Sequence, residues 1–272
     1  MPAASARTPG AKPRLYHAPS SYYSAIARLA LAEAGLAYEP VVVDILFRMS
    51  QQQPDYARLN SNMTVPTLVL PGRVLDQSRD IAEFAYGLDD GMLDAATRTW
   101  LDLHYGYPIE ELTFGHLLSR NPFARWFIPR QLAASHRRLL ALAEANPDLA
   151  DAYRTRAAVF AGRAAVFDSK KVVEVAERRR AEAIGLMDRL DSALADGRAV
   201  LVPPAYGIVD TIWTVFLARA NFVGLGTEIA KRPQLVAYWR AMQARPSFTA
   251  ADVWTRLHPL RMLGGFLGLA KR

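Results

Sequence analysis

The residues with the most chemistry to offer lie early in the chain. Tyr16 to Glu33 read YHAPSSYYSAIARLALAE, with five hydroxyls side by side at Ser20, Ser21, Tyr22, Tyr23 and Ser24. They fall where a short strand ends and a helix begins. A serine there can accept from the first-turn N–H groups and cap the helix. The same helix start carries partial positive charge, so a hydroxyl beside it can also serve an anion. One Ser at this point can do both.

Other chemistries are excluded by residue type. The 272 residues contain no cysteine. That removes disulfides, zinc fingers, iron–sulfur clusters and cysteine nucleophiles, and suits a reducing cytoplasm. Histidines stand at 17, 104, 116, 136 and 258, none paired four apart and none in HExxH, so no metal centre is expected. The net charge of +7 is spread along the chain, and its dense run, Arg178 to Arg180, is flanked by Glu177 and Glu182. That run reads as a solvated helix face, and no spacing supports a nucleic-acid partner. No apolar run reaches the ~18–20 residues of a membrane span. Residues 1–12 are small and acid-free, and a disordered tail is expected.

Patterning then supplies the elements that must position the hydroxyls. RLYH reads as a strand; Ile26, Leu29, Ala30 and Ala34 recur at helical spacing, and Gly35 offers a stop. A second strand is expected around Val41–Asp44, apolar enough to be central. ILFRMSQQQPDYARLN reads as loop plus a short helix. VPTLVL and RVLDQ form a hairpin across PGR, and Ile81, Phe84 and Ala85 mark the next helix. The order β-α-β-α-β-β-α implies a small mixed sheet flanked by helices, as in the thioredoxin fold. Strand signals stop after Asp90. The expected class is therefore α/β: a thioredoxin-like N-terminal domain over 13–88, then an all-α helical domain over 95–260.

Three motifs stand in order along this frame: SSYYSAIARLAL, TVPTL and DQSRDI. With the helical half behind them, the chain from Arg14 to Phe248 resembles the cytosolic glutathione transferase family. PDYARLN, AYWRAMQARPSF and the stretch ANPDLADAYRTR look most like its tetrachlorohydroquinone dehalogenase-like branch. More distantly the chain is similar to bacterial β-aryl-etherases and zeta-class isomerases.

The resemblance implies an enzyme with glutathione as co-substrate, a small hydrophobic electrophile bound between the domains, and a homodimer. It implies that Val65-Pro66 is a cis bond whose Val65 N–H and C=O pair with the cysteinyl unit as with an added strand. Without the resemblance the pair could equally be a trans proline starting a strand. It implies that Ser78 caps the next helix and that Gln77 and Ser78 receive the γ-glutamyl end. Gln77 stands where many relatives have Glu, and Asp80 or another acid would compensate.

For the thiol, Ser21 matches the serine of zeta-like members, and Ser24 matches the etherase pattern with a slipped alignment. Tyr16 corresponds to the strand-end tyrosine of some classes. Tyr23 falls where the dehalogenase has its essential Cys. Without that Cys a mixed disulfide cannot be resolved, so substitution or addition is expected rather than reductive dehalogenation. A non-catalytic binding protein and a glutathione-dependent isomerase are the alternatives. Among the helices, His104, Tyr105, Tyr107, Phe114, His116, Trp126 and Phe127 are candidates for the second pocket, with core packing the expected role of most. Asp210, in GIVD, is read as a folding signature that bonds backbone N–H groups at a helix start.

Overall fold

The computed structural model describes residues 12–88, 92–167 and 171–258. Almost all of the expected tail, and the apolar segment beyond His258, lie outside the described residues.

Four strands form one sheet: β1 (Arg14–His17), β2 (Glu39–Val42), β3 (Thr67–Leu70) and β4 (Arg73–Leu75), in the order β2-β1-β3-β4. β1 and β2 run parallel, and the other pairs are antiparallel. Helix α1 (Tyr22–Glu33) makes the crossover between the parallel strands. Leu15 and Leu68 sit opposite one another and are fully buried beneath Ala27 and Leu31 of that helix. The other face of α1 carries Ala25, Ile26 and Leu29 into the helical core. An alanine-rich helix can be buried on both faces because its short side chains allow close approach. Gly35, with φ +63°, closes it, and the Leu36 N–H returns to the Leu31 carbonyl at 2.9 Å.

β2 corrects the expectation of a central strand around Val41–Asp44. It spans Glu39–Val42 at the sheet edge, with Val42 47% exposed. Valine favours any pleated strand, so an apolar run does not say how many neighbours the strand has. Helices α2 (Pro54–Leu59) and α3 (Ser78–Tyr86) complete the thioredoxin-like layer.

Helices follow: α4 (Ala95–Tyr105), α5 (Ile109–Arg120), α6 (Pro122–Ala145), α7 (Ala150–Val166), α8 (Val172–Ala193), α9 (Ile208–Phe222), α10 (Gly226–Ala230), α11 (Pro233–Gln243) and α12 (Pro246–Ala250). The long helical pattern breaks at Pro108, whose ring cannot continue the α4 ladder. α5 and α8 touch at Gly115, where a Cβ would lie 3.0 Å from that of Ala176. α9 is buried nearly all round, and its Trp213 meets Trp100 and Phe216 edge-on at 5.5 and 5.1 Å. Asp210 at its start accepts from the N–H of Leu201 (2.8 Å), the N–H of Gly207 (3.1 Å) and the Tyr238 hydroxyl (2.9 Å). A buried carboxylate so satisfied acts as a fold fixture. A second core joins α6 to α7 through Leu132, Leu139, Tyr153 and Phe160. The Tyr153 hydroxyl donates to the Gln52 carbonyl at 3.0 Å, tying α7 to the sheet domain.

Candidate active site

A cavity of about 640 Å³ opens between the sheet domain and α4–α7. Its sheet-side wall brings together Ser21, Tyr23, Val65, Pro66, Gln77 and Ser78. These come from three separate stretches of the sequence, and the fold converges them on one space.

Ser21 is the N-cap of α1, with extended backbone (φ −71°, ψ 129°) and Oγ accepting from the Ser24 N–H at 3.2 Å. That bond uses a lone pair and leaves the hydroxyl proton to donate. The N–H groups of Tyr22 and Tyr23 belong to the first turn and have no intrahelical acceptor. The loop before Ser21 is held by two guanidinium groups. Arg28 donates to the carbonyls of Ala18 (3.3 Å) and Pro19 (3.2 Å), and Arg219 donates to that of Ser20 (3.0 Å). Both arginines thereby fix where the α1 N-terminus sits. The Tyr22 hydroxyl lies 2.5 Å from His104 Nε2. Burial pushes the His104 pKa down to about 3, so the ring is neutral at pH 7.

Ser24 sits one turn on and is fully buried. Its Oγ accepts from the Ala18 N–H at 3.3 Å, off the cavity. Tyr16 likewise lies off the cavity, edge-on to Tyr56 at 5.8 Å. Tyr23 lines the cavity. Burial, then the nearby Glu110 carboxylate, pushes its pKa up to about 12 against the opposing pull of Arg163. It is a neutral donor at pH 7.

The Val65–Pro66 bond is cis. The approach to it is braced: Tyr56 and Asn60 both donate to the Thr64 carbonyl, at 2.5 and 3.1 Å. At α3 the structure moves the expected cap by one residue. Gln77 is the N-cap, extended at φ −113° and without a side-chain capping bond, and Ser78 is the first helical residue. Ser78 was the natural choice by propensity, but the backbone already turns helical there. Its Oγ lies 3.3 Å from the Tyr105 hydroxyl. Asp76 and Asp80 stand on the same wall. Burial, then the charges of Glu83 and Asp76, raises the Asp80 carboxyl above its ordinary pKa.

The helical wall is different in character. Phe114, Ile128, Leu132 and Phe160 make it apolar, and Glu110, Arg156 and Arg163 charge it. Arg163 is hydrogen-bonded to Glu110. Arg156 Nε is buried without a hydrogen-bond partner, and its guanidinium lies 5.3 Å from the Phe160 ring centroid. Burial, then the charge of Arg163, pushes its pKa down to about 10; it stays protonated at pH 7. Of the seven aromatic and histidine candidates, Tyr105, Phe114 and Phe127 line the cavity. His104 and Tyr107 are buried in the core, His116 is half-buried off the cavity, and Trp126 is 54% exposed. Sequence reading missed Glu110, Arg156 and Arg163. Arg156, Phe160 and Arg163 are spaced i, i+4, i+7 on α7, the one pattern that could have put them on a common face.

A thioredoxin-like sheet domain joined to a helical bundle, with a cavity between them at the α1 start, defines a glutathione-transferase architecture. The sequence profile of the glutathione S-transferase N-terminal domain matches residues 15–91. The tetrachloro-p-hydroquinone reductive dehalogenase of Sphingobium chlorophenolicum is 32% identical over 251 residues, 88% of this chain and 95% of that one. The chain belongs to the glutathione S-transferase family. Glutathione S-transferase TCHQD of Arabidopsis thaliana is 25% identical over 250 residues, 86% of this chain and 87% of its own. Among solved structures, the β-etherase LigF of Sphingobium sp. strain SYK-6 superposes with a TM-score of 0.64 at 20% identity, covering 89% of this chain and 98% of that one. That likeness is one of fold.

Proposed function

We propose that this chain activates glutathione at Ser21 and transfers it to an apolar electrophile. The observation that carries the reading is the convergence of Ser21, Val65 and Ser78 on one cavity. A free thiol has a pKa of ~8.5, so at neutral pH most of it is unreactive. A hydroxyl donor and the first-turn N–H groups of α1 favour the thiolate. The Val65 backbone pairs with the cysteinyl unit as with an added strand. The α3 start receives the γ-glutamyl carboxylate, and Asp76 and Asp80 face its ammonium, where Gln77 has no charge to offer.

The thiolate then attacks an electrophilic carbon held against the helical wall. A carbon–sulfur bond forms, and a halide or ether oxygen leaves with its electron pair; with an epoxide or activated alkene the addition is completed by a proton. The dehalogenase relative acts on tetrachloro-p-hydroquinone, as its name states. A cysteine-free chain is better suited to substitution than to reduction. The proposed arrangement is a glutathione-binding domain over 13–88 and a helical domain over 95–260, in a cytoplasmic homodimer. Among the described residues no helix is long and apolar enough to cross a membrane.

A crystal structure with glutathione tests this. The sulfur is expected within ~3.5 Å of Ser21 Oγ or of the Tyr22 N–H. A sulfur facing Tyr16 or Tyr23 instead would refute the assignment.

A further inference from the structure

The helical wall carries a charge that the glutathione site does not use. Arg156 is the residue in question. Its Nε proton is buried and meets no acceptor. A buried donor left unpaired is destabilising, and more so when charged. Among the described residues no acceptor takes this proton. Glu110, the carboxylate on this wall, is already bonded to Arg163. Gln131 donates its amide to the Leu46 carbonyl at 2.9 Å, which fixes its orientation. Among the described lining residues the helical half carries two guanidinium groups, Arg156 and Arg163, against one carboxylate, Glu110, whereas Asp76 and Asp80 lie on the opposite, sheet-side wall. The Arg156 guanidinium lies 5.3 Å from the Phe160 ring centroid, and Phe114 and Ile128 line the same cavity, an apolar lining suited to an aromatic ring.

We propose that this half of the cavity binds an aromatic or otherwise apolar electrophile bearing an anionic oxygen, a carboxylate or a phenolate, which Arg156 receives. The inference rests on the transferase reading and names the class of its second substrate. Arg–oxyanion pairing is charge-assisted and directional, and the apolar surroundings strengthen it. Glutathione carries carboxylates too, so its glycyl end is the competing source of the same chemistry.

Two measurements separate these. The first is calorimetric titration of protein saturated with S-methylglutathione, whose blocked thiol cannot react. 3-Nitrobenzoate, the anionic probe, is expected to bind at least 10-fold tighter than nitrobenzene. Arg156→Met should abolish that preference, and Arg156→Lys should keep most of it. Affinity for S-methylglutathione should stay within about 2-fold in both variants. The second is turnover of 4-chloro-3-nitrobenzoate against 1-chloro-2,4-dinitrobenzene, the glutathione sulfur replacing chloride in each. Arg156→Met should raise KM for the anionic substrate at least 10-fold and leave the neutral one nearly unchanged.

The proposal is overturned if wild type does not prefer 3-nitrobenzoate, if both substrates suffer equally, or if S-methylglutathione affinity falls in place of probe affinity. The last result would assign Arg156 to the glycyl carboxylate. If wild type binds both ligands but turns over neither substrate, the transferase reading fails, and the titration still decides the role of Arg156. Should Arg156→Met not fold, Arg156→Gln, shorter and still polar, answers the same titration.

Discussion

Ser21 and Ser24 stand one helical turn apart and meet opposite surroundings. Ser21 opens on the cavity and Ser24 is sealed against the Ala18 N–H. Their alanine variants should therefore differ in kind. Ser24→Ala strands a buried donor and should cost about 1–3 kcal/mol of stability by urea denaturation, without changing the acidity of bound glutathione. Ser21→Ala loses a cap, about 1 kcal/mol, and should weaken the thiolate. The sequence leaves Ser21, Ser24 and Tyr23 all open as candidates. A run of five hydroxyls at a helix start does not reveal its own phase. Phase is set by which residue takes the extended N-cap backbone, and that depends on the Arg28 and Arg219 bonds to the preceding carbonyls. Arg219 lies some 200 residues away in the chain, beyond any local pattern.

At the scale of elements, α1 is the central beam, and its far end is tied to the C-terminal helices. Arg245 donates to both oxygens of Glu33, each at 2.7 Å, and Ser247 bonds the same carboxylate. Burial alone would raise the Glu33 pKa, but these hydrogen bonds outweigh it and hold the carboxyl below its ordinary value. Stability from this tie is thus complete above the unfolded value of ~4.3 and is lost as pH falls through the lower folded value. Glu33→Gln should cost about 1–2 kcal/mol at pH 7, after allowance for the partly exposed Arg245. The gap from wild type should narrow at pH 3, as urea midpoints at the two pH values would reveal; a gap independent of pH would contradict the tie. Strands, the hairpin and α1 were legible because their periodicity is strong. The edge position of β2 was not, since pairing order is a property of the whole sheet. Nor were the charged residues of α7 at the cavity, because an arginine on an alanine-rich helix reads as solvated until the facing helix is known.

The whole molecule gains a pH dependence from two buried histidines. Burial, then the charge of Arg28, lowers the His17 pKa to about 4, and burial lowers that of His104 to about 3. For a base kept neutral by folding, protons favour the unfolded chain. Stability is then full above the unfolded value of ~6.5 and declines as pH falls toward the folded values. From pH 7 to pH 5 the unfolding free energy should drop by about 3–4 kcal/mol, and His104→Asn should roughly halve that slope. A stability flat across this range would contradict the burial argument. Both rings pack beside the loop that presents Ser21: His17 lies 3.3 Å from Arg28, and His104 holds Tyr22. Folding and the active-site loop therefore share their supports. The central claim, that this assembly exists to hold a thiolate at Ser21, is tested most directly by ultraviolet titration of enzyme-bound glutathione. The bound thiol should titrate at least one unit below the free thiol in wild type and in Ser24→Ala, and return toward the free value in Ser21→Ala. An unchanged pKa in Ser21→Ala, or a rise in Tyr23→Phe instead, would contradict it.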